Sequence, residues 1–426
     1  MPGRPPLPVS FYYGWVIVAL AFWTMAFTIT SRFAFGIFQV PLIAEFGWGR
    51  GALGGAYALM LIVYAIVSPF IGSIFDRRGP RAVVPLGSAL VGAGLALGFF
   101  VSELWHMYAF TGLVMGIGSA MSGFALNSAM MPRWFQRKRG AATGIALSGS
   151  GVGILLLIPA IERLIAGAGW RAAYLAFGLL VLAGFAPVLG LLLRDRPGDV
   201  GQAVDGLPPA PGPAPLPETG HAVPLRQVLA GVRGERNFWA LAAIVFFLGL
   251  GNNTILSQLH IYLVDAKFTT ASSALIFGSV GAIRMAGSMI LGWASDRIGR
   301  PRAQAAALAI TAAGLAILLL LPALGSPPWM GWLFALVFGI GMGGTGTCHS
   351  AMAADSFGGR SFGAVMCLLE IAFGVGGALG PPLAGLLFDW TGSYRIPFSF
   401  ILAGLGAALC VALFVYEPPA RRPNVS

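Results

Sequence analysis

Runs of about twenty apolar residues, the length that crosses a bilayer as a helix, recur twelve times in this chain. They cover 13–38, 52–75, 82–101, 105–131, 140–165, 170–193, 237–263, 271–295, 302–322, 328–354, 361–388 and 393–416. Lipid offers no partner to a backbone N–H or C=O, so each run must close its own hydrogen bonds as a helix. Charged residues make up only 10% of the chain, where a soluble domain carries roughly 25%. The expected fold class is therefore an all-α membrane protein of twelve transmembrane helices. Cys348, Cys367 and Cys410 all fall inside apolar runs, which argues against a disulfide framework. Residues 1–10 form a short proline-rich tail rather than a leader, so the first span is expected to be retained.

The formal charge of +11 could suggest a nucleic-acid partner. Its distribution argues otherwise. With both ends of the chain on one side of the membrane, that side receives nineteen Lys and Arg and the other five. Basic loops stay cytoplasmic, so both termini and the central linker are expected in the cytoplasm, at the cell (plasma or inner) membrane. The surplus charge then serves topology and lipid headgroups, and no nucleic acid is expected.

The two halves repeat each other. Gly72-Ser-Ile-Phe-Asp76-Arg77-Arg-Gly79 after the second span reappears as Gly292-Trp-Ala-Ser-Asp296-Arg297-Ile-Gly299 after the eighth, 220 residues on. Gly116-Ile-Gly118 matches Gly339-Ile-Gly341, and Asn127-Ser-Ala-Met130 matches His349-Ser-Ala-Met352, at nearly the same offset. The expected organisation is a six-helix half over 1–193, a cytoplasmic linker over 194–236 and a second half over 237–426. The run Pro208-Pro-Ala-Pro-Gly-Pro-Ala-Pro-Leu-Pro217 cannot bury a core and reads as extended and mobile. Residues 224–233 could form a short interfacial helix. Repeated halves of this kind place a substrate site where they meet, near the membrane midplane.

The paired Gly-x-x-x-Asp-Arg-x-Gly loops resemble the signature loops of the major facilitator superfamily. Three further stretches resemble its monocarboxylate porter and oxalate/formate antiporter group: Tyr12-Tyr-Gly-Trp15, Ser31-Arg-Phe-Ala-Phe-Gly-Ile-Phe38 and Trp134-Phe-Gln-Arg-Lys-Arg-Gly140. The resemblance implies two pseudo-symmetric six-helix bundles that rock to give alternating access, with small organic anions as cargo. It departs from the group in two places. Animal monocarboxylate transporters carry an aspartate one turn before the arginine of the eighth span, where this chain has Val280. The antiporters carry a lysine in the eleventh span, where this chain offers only Glu370.

Arg284 is the leading site candidate, because a guanidinium at the middle of an apolar run costs about 2.5–3.5 kcal/mol even on lenient insertion scales. A planar guanidinium suits bidentate clamping of a carboxylate; otherwise it would tie to carbonyls of a neighbouring helix. Tyr64 is its repeat-equivalent, a neutral hydrogen-bonding partner. Glu370, the only acid well inside a span, is the candidate proton-coupling residue, or else the structural partner of an arginine. Arg32, toward the outer end of its run, either receives anions or snorkels to the headgroups. Asn127, His349, Asn252 and Asn253 could hydrogen-bond substrate or bond between helices. Asp76, Arg77, Asp296 and Arg297 are expected to gate the cytoplasmic side by bonding to neighbouring helix ends. No metal cluster, cofactor motif or catalytic constellation is present, so an enzyme is not expected.

These residues together point to secondary transport of a small organic anion by a monomer, most simply a monocarboxylate moving with a proton. Anion exchange without protons and efflux of hydrophobic compounds are the alternatives.

Overall fold

The computed structural model describes residues 11–206, 230–357 and 362–417, the side chains at 76, 362–364 and 367 excepted. The Pro208–Pro217 run and most of 224–233 lie outside the described residues. In the first half the helices are α1 (Gly14–Phe46), α2 (Arg50–Arg78), α3 (Pro80–Leu97), α4 (Leu104–Met107), α5 (Met115–Ser122), α6 (Phe124–Trp134), α7 (Arg139–Leu179) and α8 (Ala186–Leu192). In the second they are α9 (Arg236–Asp265), α10 (Thr270–Ile298), α11 (Arg300–Leu320), α12 (Pro328–Phe357), α13 (Phe362–Thr391) and α14 (Arg395–Cys410). No strand occurs among the described residues.

Eleven helical segments are long and apolar enough to cross a membrane. One of them, Arg139–Leu192, holds two spans, because Gly169 at φ 85° and ψ 161° interrupts the helix partway along. The twelve expected spans are therefore all present. The fourth is pieced together from α4, a π-helical stretch Tyr108–Val114, α5 and α6. Gly123 separates α5 from α6 with an extended backbone, φ −82° and ψ −167°.

By contacts the chain divides into two compact units. One comprises residues 1–38 and 62–220, the other 39–61 and 221–426. In this division the end of α1 and the beginning of α2 group with the helices that follow the linker.

In the first unit the signature loop is a tight helix connector. Gly79 takes φ 79°, a left-handed value that favours glycine, and Pro80 opens α3, where its missing N–H is no loss. The Arg81 N–H donates to Asp195 at 2.9 Å, so an acid from the linker supplies the cap that Gly79 cannot. The linker's first residues are ordered rather than extended. Gln202 accepts from the Tyr13 N–H at 2.8 Å and donates to Phe11 O, while Asp205 accepts from the Gln136 and Arg137 N–H groups. Tyr12 donates its hydroxyl to Trp134 O and accepts from the Asp205 N–H. The Tyr12-Tyr and Trp134-Phe stretches of sequence therefore form one clasp with the start of the linker.

The second unit repeats the device. Gly299 sits at φ 90° and α11 begins with a proline in its first turn. Its central element is α9, buried without interruption from Leu250 to Leu263, as expected of a helix apolar or paired all round. Lipid gives helices no hydrophobic drive to associate, so close approach at small residues does the work. A Cβ at Gly249 would overlap Phe373 O, and one at Gly376 would overlap Phe246 O, which brings α9 and α13 backbone to backbone. In the first unit Gly149 and Gly153 of α7 meet Phe22 and Ala26 of α1 in the same way.

Candidate functional site

Arg284 is the midpoint of the 29-residue α10 and is half-buried. The backbone around it is held by α12: a Cβ at Gly343 would overlap Arg284 O, and one at Gly287 would overlap Ile340 O. One turn further on, the Ser288 and Thr347 hydroxyls bond to each other. Val280, one turn earlier, is buried at 2% exposure. The arginine thus projects from a rigid helix pair, and its position rests on packing rather than on a loop.

In α9, Asn253 is already occupied. Its Oδ1 accepts from the Tyr57 hydroxyl at 3.3 Å and its Nδ2 donates to Gly249 O at 2.9 Å. Asn252 differs: it is 8% exposed and its Oδ1 has no hydrogen-bond partner. Of the two, Asn252 has acceptor capacity left for a ligand.

In the first unit Tyr64, half-buried, lies against Gly123. Asn127 is fully buried, and its Nδ2 donates to Ser122 O at 2.7 Å and Gly123 O at 2.9 Å. Tyr64 and Asn127 therefore meet at the break of the fourth span. His349, the repeat-equivalent of Asn127, is 5% exposed in α12, and neither ring nitrogen has a hydrogen-bond partner. Arg32 is half-buried, and α1 runs to Phe46 rather than ending at 38. That extension puts Arg32 in the middle third of the helix instead of near its outer end. Glu370 is the ninth residue of α13 and its side chain is exposed. Burial of that carboxyl, which the sequence implied, is absent from this structure, and a charge on a membrane-spanning helix needs a wet surface.

Several contacts tie the helices together around the signature loops. The Arg297 guanidinium stacks 3.8 Å from the Trp293 ring of its own helix. Arg300 pairs with Asp296 at 3.6 Å and reaches Asp355 at the end of α12 at 2.5 Å. Arg77 is exposed, and the Asp76 side chain lies outside the described residues. Arg133 lies 4.6 Å from the Phe75 ring, tying α6 to α2.

Sequence reasoning missed a polar seam within the second unit. Arg50 Nη1 donates to Asp265 at 2.6 Å and to the Tyr394 hydroxyl at 2.8 Å, and the Tyr394 hydroxyl donates to Gln258 at 3.0 Å. The N–H groups of Arg50 and Gly51 donate to the two carboxylate oxygens of Asp389 at 3.0 and 2.8 Å. Gln39 donates to Ser257 O at 3.1 Å. These bonds explain why 39–61 group with the second half. The available signal was the chain of Gln, Asn and Ser residues on α9, each unremarkable alone.

Comparison with known proteins agrees with this architecture. The profile of the Major Facilitator Superfamily matches residues 18–368 and again 333–426. The chain belongs to the major facilitator superfamily. Among relatives within that superfamily, human Monocarboxylate transporter 11 is 32% identical, over 96% of this chain and 86% of its own length. Bovine Monocarboxylate transporter 13 is 26% identical over 97% of this chain and 92% of its own. A solved bacterial homolog of the human lysosomal transporter Spinster, in an inward-facing and occupied conformation, superposes with a TM-score of 0.76. It covers 97% of this chain and all of its own length at 14% identity, a likeness of fold alone. The superfamily consists of transporters, so the chain is an integral multi-pass membrane transport protein.

Proposed function

We propose that this superfamily member is a secondary transporter of small monocarboxylates that moves each anion together with a proton, from a cell membrane with both termini in the cytoplasm. The observation that carries the reading is Arg284, a half-buried guanidinium at the midpoint of a membrane-spanning helix whose backbone is fixed by glycine contacts with α12. A fixed planar cation at that depth suits two parallel N–H···O bonds to one carboxylate. Arg32 and Arg284 against Glu370 leave a net positive charge on the spans, which favours an anion over a cation. Glu370 exchanges the proton: protonated it contributes no charge, and ionised it offsets a cation. Further support comes from the relatives, whose names record monocarboxylate transport. Asp76, Arg77, Asp296 and Arg297 remain assigned to the control of opening on the cytoplasmic side.

Uptake of radiolabelled propionate into proteoliposomes, with and without an inward proton gradient, tests the coupling. Accumulation above equilibrium only with the gradient is expected. Equal uptake in both conditions would replace symport by exchange.

A further inference from the structure

In the first unit the end of α2, the start of α3 and the end of α8 come together at one point. Asp195, just after α8, seats against Gly79 of the α2–α3 connector, so closely that a Cβ on the glycine would overlap its carboxylate. Its Oδ1 accepts from the Arg81 N–H at 2.9 Å. Arg78 and Arg81 flank Gly79, and Arg194 and Arg196 flank Asp195. A single contact therefore gathers these arginines where three spans end.

The acids among them are engaged with backbone. Asp195 accepts from Arg81 N–H, and Asp199 accepts from the Asp195 and Arg196 N–H groups at 3.0 and 3.1 Å. The guanidinium groups of Arg78, Arg81 and Arg196 have no hydrogen-bond or ion-pair partner among the described residues, and all three residues are exposed. Arg194 donates to Leu191 O and Leu193 O at 2.7 and 3.0 Å, which caps the end of α8. The cluster is thus positive, ordered and open to an anion.

The surface that adjoins it on the membrane side is apolar. α3 packs on α8, and Leu86 of α3 and Leu191 and Leu192 of α8 are exposed. A fitting ligand is anionic at one end and apolar at the other. Guanidinium groups pair bidentately with phosphate oxygens, and basic pockets between spans at headgroup level take anionic lipids. A free anion or an acidic peptide would satisfy the arginines but leave the leucines uncovered.

We propose that the Gly79–Asp195 contact builds a binding site for an anionic phospholipid. Arg78, Arg81 and Arg196 hold its phosphate, and its acyl chains lie over Leu86, Leu191 and Leu192. The site is independent of which substrate the transporter carries. It differs from a general excess of basic residues in having a fixed place.

Thermal unfolding of the purified protein in neutral detergent, with phosphatidylglycerol or phosphatidylcholine of matched acyl chains, tests the site. Phosphatidylglycerol should raise the wild-type midpoint by about 5 °C beyond phosphatidylcholine, the shift of a ligand well above its Kd. Arg81→Gln/Arg196→Gln should unfold at the wild-type temperature without lipid and lose most of that shift. Arg81→Lys/Arg196→Lys, which keeps the charges but not the forks, should retain part of it. Arg137→Gln/Lys138→Gln removes the same charge from the loop before α7 and should keep the full shift. A wild type shifted equally by both lipids overturns the proposal. So does an Arg137→Gln/Lys138→Gln protein that loses as much as Arg81→Gln/Arg196→Gln, the result for charge without a place. An equal shift from inorganic phosphate or from a soluble polyglutamate peptide, each without lipid, also overturns it, by assigning the arginines to a free anion or to an acidic protein segment. These wild-type arms decide the occupant whether or not the Gln variant folds.

Discussion

Arg50 Nη1 lies 2.6 Å from Asp265 Oδ2, and the arginine side chain is only 11% exposed. Around this pair the Phe388 ring lies 3.7 Å from the guanidinium carbon, and Asp389 accepts from two consecutive backbone N–H groups. Gly385 of α13 completes the contact, since a Cβ there would press on the Arg50 backbone. The seam from Gln39 to Gly51 and on to Tyr57 is thus polar and tightly fitted.

Removing that guanidinium should loosen residues 47–61. Hydrogen bonds to charged groups contribute about 1.5–3 kcal/mol each, reduced here because Asp265 is 39% exposed and screened by water. Arg50→Ala should therefore speed amide exchange across 47–61 by about tenfold, as read by hydrogen–deuterium exchange mass spectrometry. Arg50→Lys should fall between, having lost the fork that serves two acceptors.

Gly343→Ala should destabilise the protein by about 1–3 kcal/mol through overpacking against the Arg284 carbonyl. Gly346→Ala, one turn along the same helix and facing open space, should change stability by less than about 0.5 kcal/mol. Thermal unfolding in detergent checks the pair. Equal effects would mean that α12 does not fix the Arg284 backbone.

His349 is a liability to stability as it stands, with two ring nitrogens buried and unpaired. An unsatisfied buried polar group costs about 1–3 kcal/mol, so His349→Leu should raise the melting temperature by a few degrees. Reduced uptake in the same variant would mark the histidine as retained for transport rather than packing. Uptake unchanged at higher stability would assign it no part in transport.

The linker clasp should hold at neutral pH and open only in strong alkali. Burial, against the opposing Asp205 N–H bond, pushes the Tyr12 phenol from 10.0 up to about 12. A folded-state value above the unfolded one makes the contribution complete below pH 10 and lost as pH rises through about 12. Limited proteolysis at 195–206 should therefore be flat between pH 6 and 9. Asp205→Ala, which leaves the Gln136 and Arg137 N–H groups without their acceptor, should increase cleavage there at neutral pH.

The spans and the repeat were legible because the bilayer leaves an apolar run of twenty residues no option but a helix. The paired loops were legible because Gly79 and Gly299 must take positive φ, which restricts the residue type. The grouping of 39–61 was not, since Gln39, Tyr57 and Gln258 read as scattered polar residues until folding sets them opposite one another. Nor was the break at Gly123: a glycine among Gly116 and Gly118 reads as a packing position. Asn127, which holds the broken ends four and five residues back, was the signal that could have found it. Asp195 and Asp205 were hidden by the proline run that follows them.

The central claim is that Arg284 binds the substrate carboxylate. Its most direct test is propionate uptake by proteoliposomes containing Arg284→Ala, Arg284→Lys or wild-type protein, each first shown to be folded by its thermal unfolding curve. The account predicts no uptake above empty liposomes for Arg284→Ala and a reduced rate for Arg284→Lys, which keeps the charge but not the fork. A folded Arg284→Ala protein that takes up propionate at the wild-type rate would contradict it.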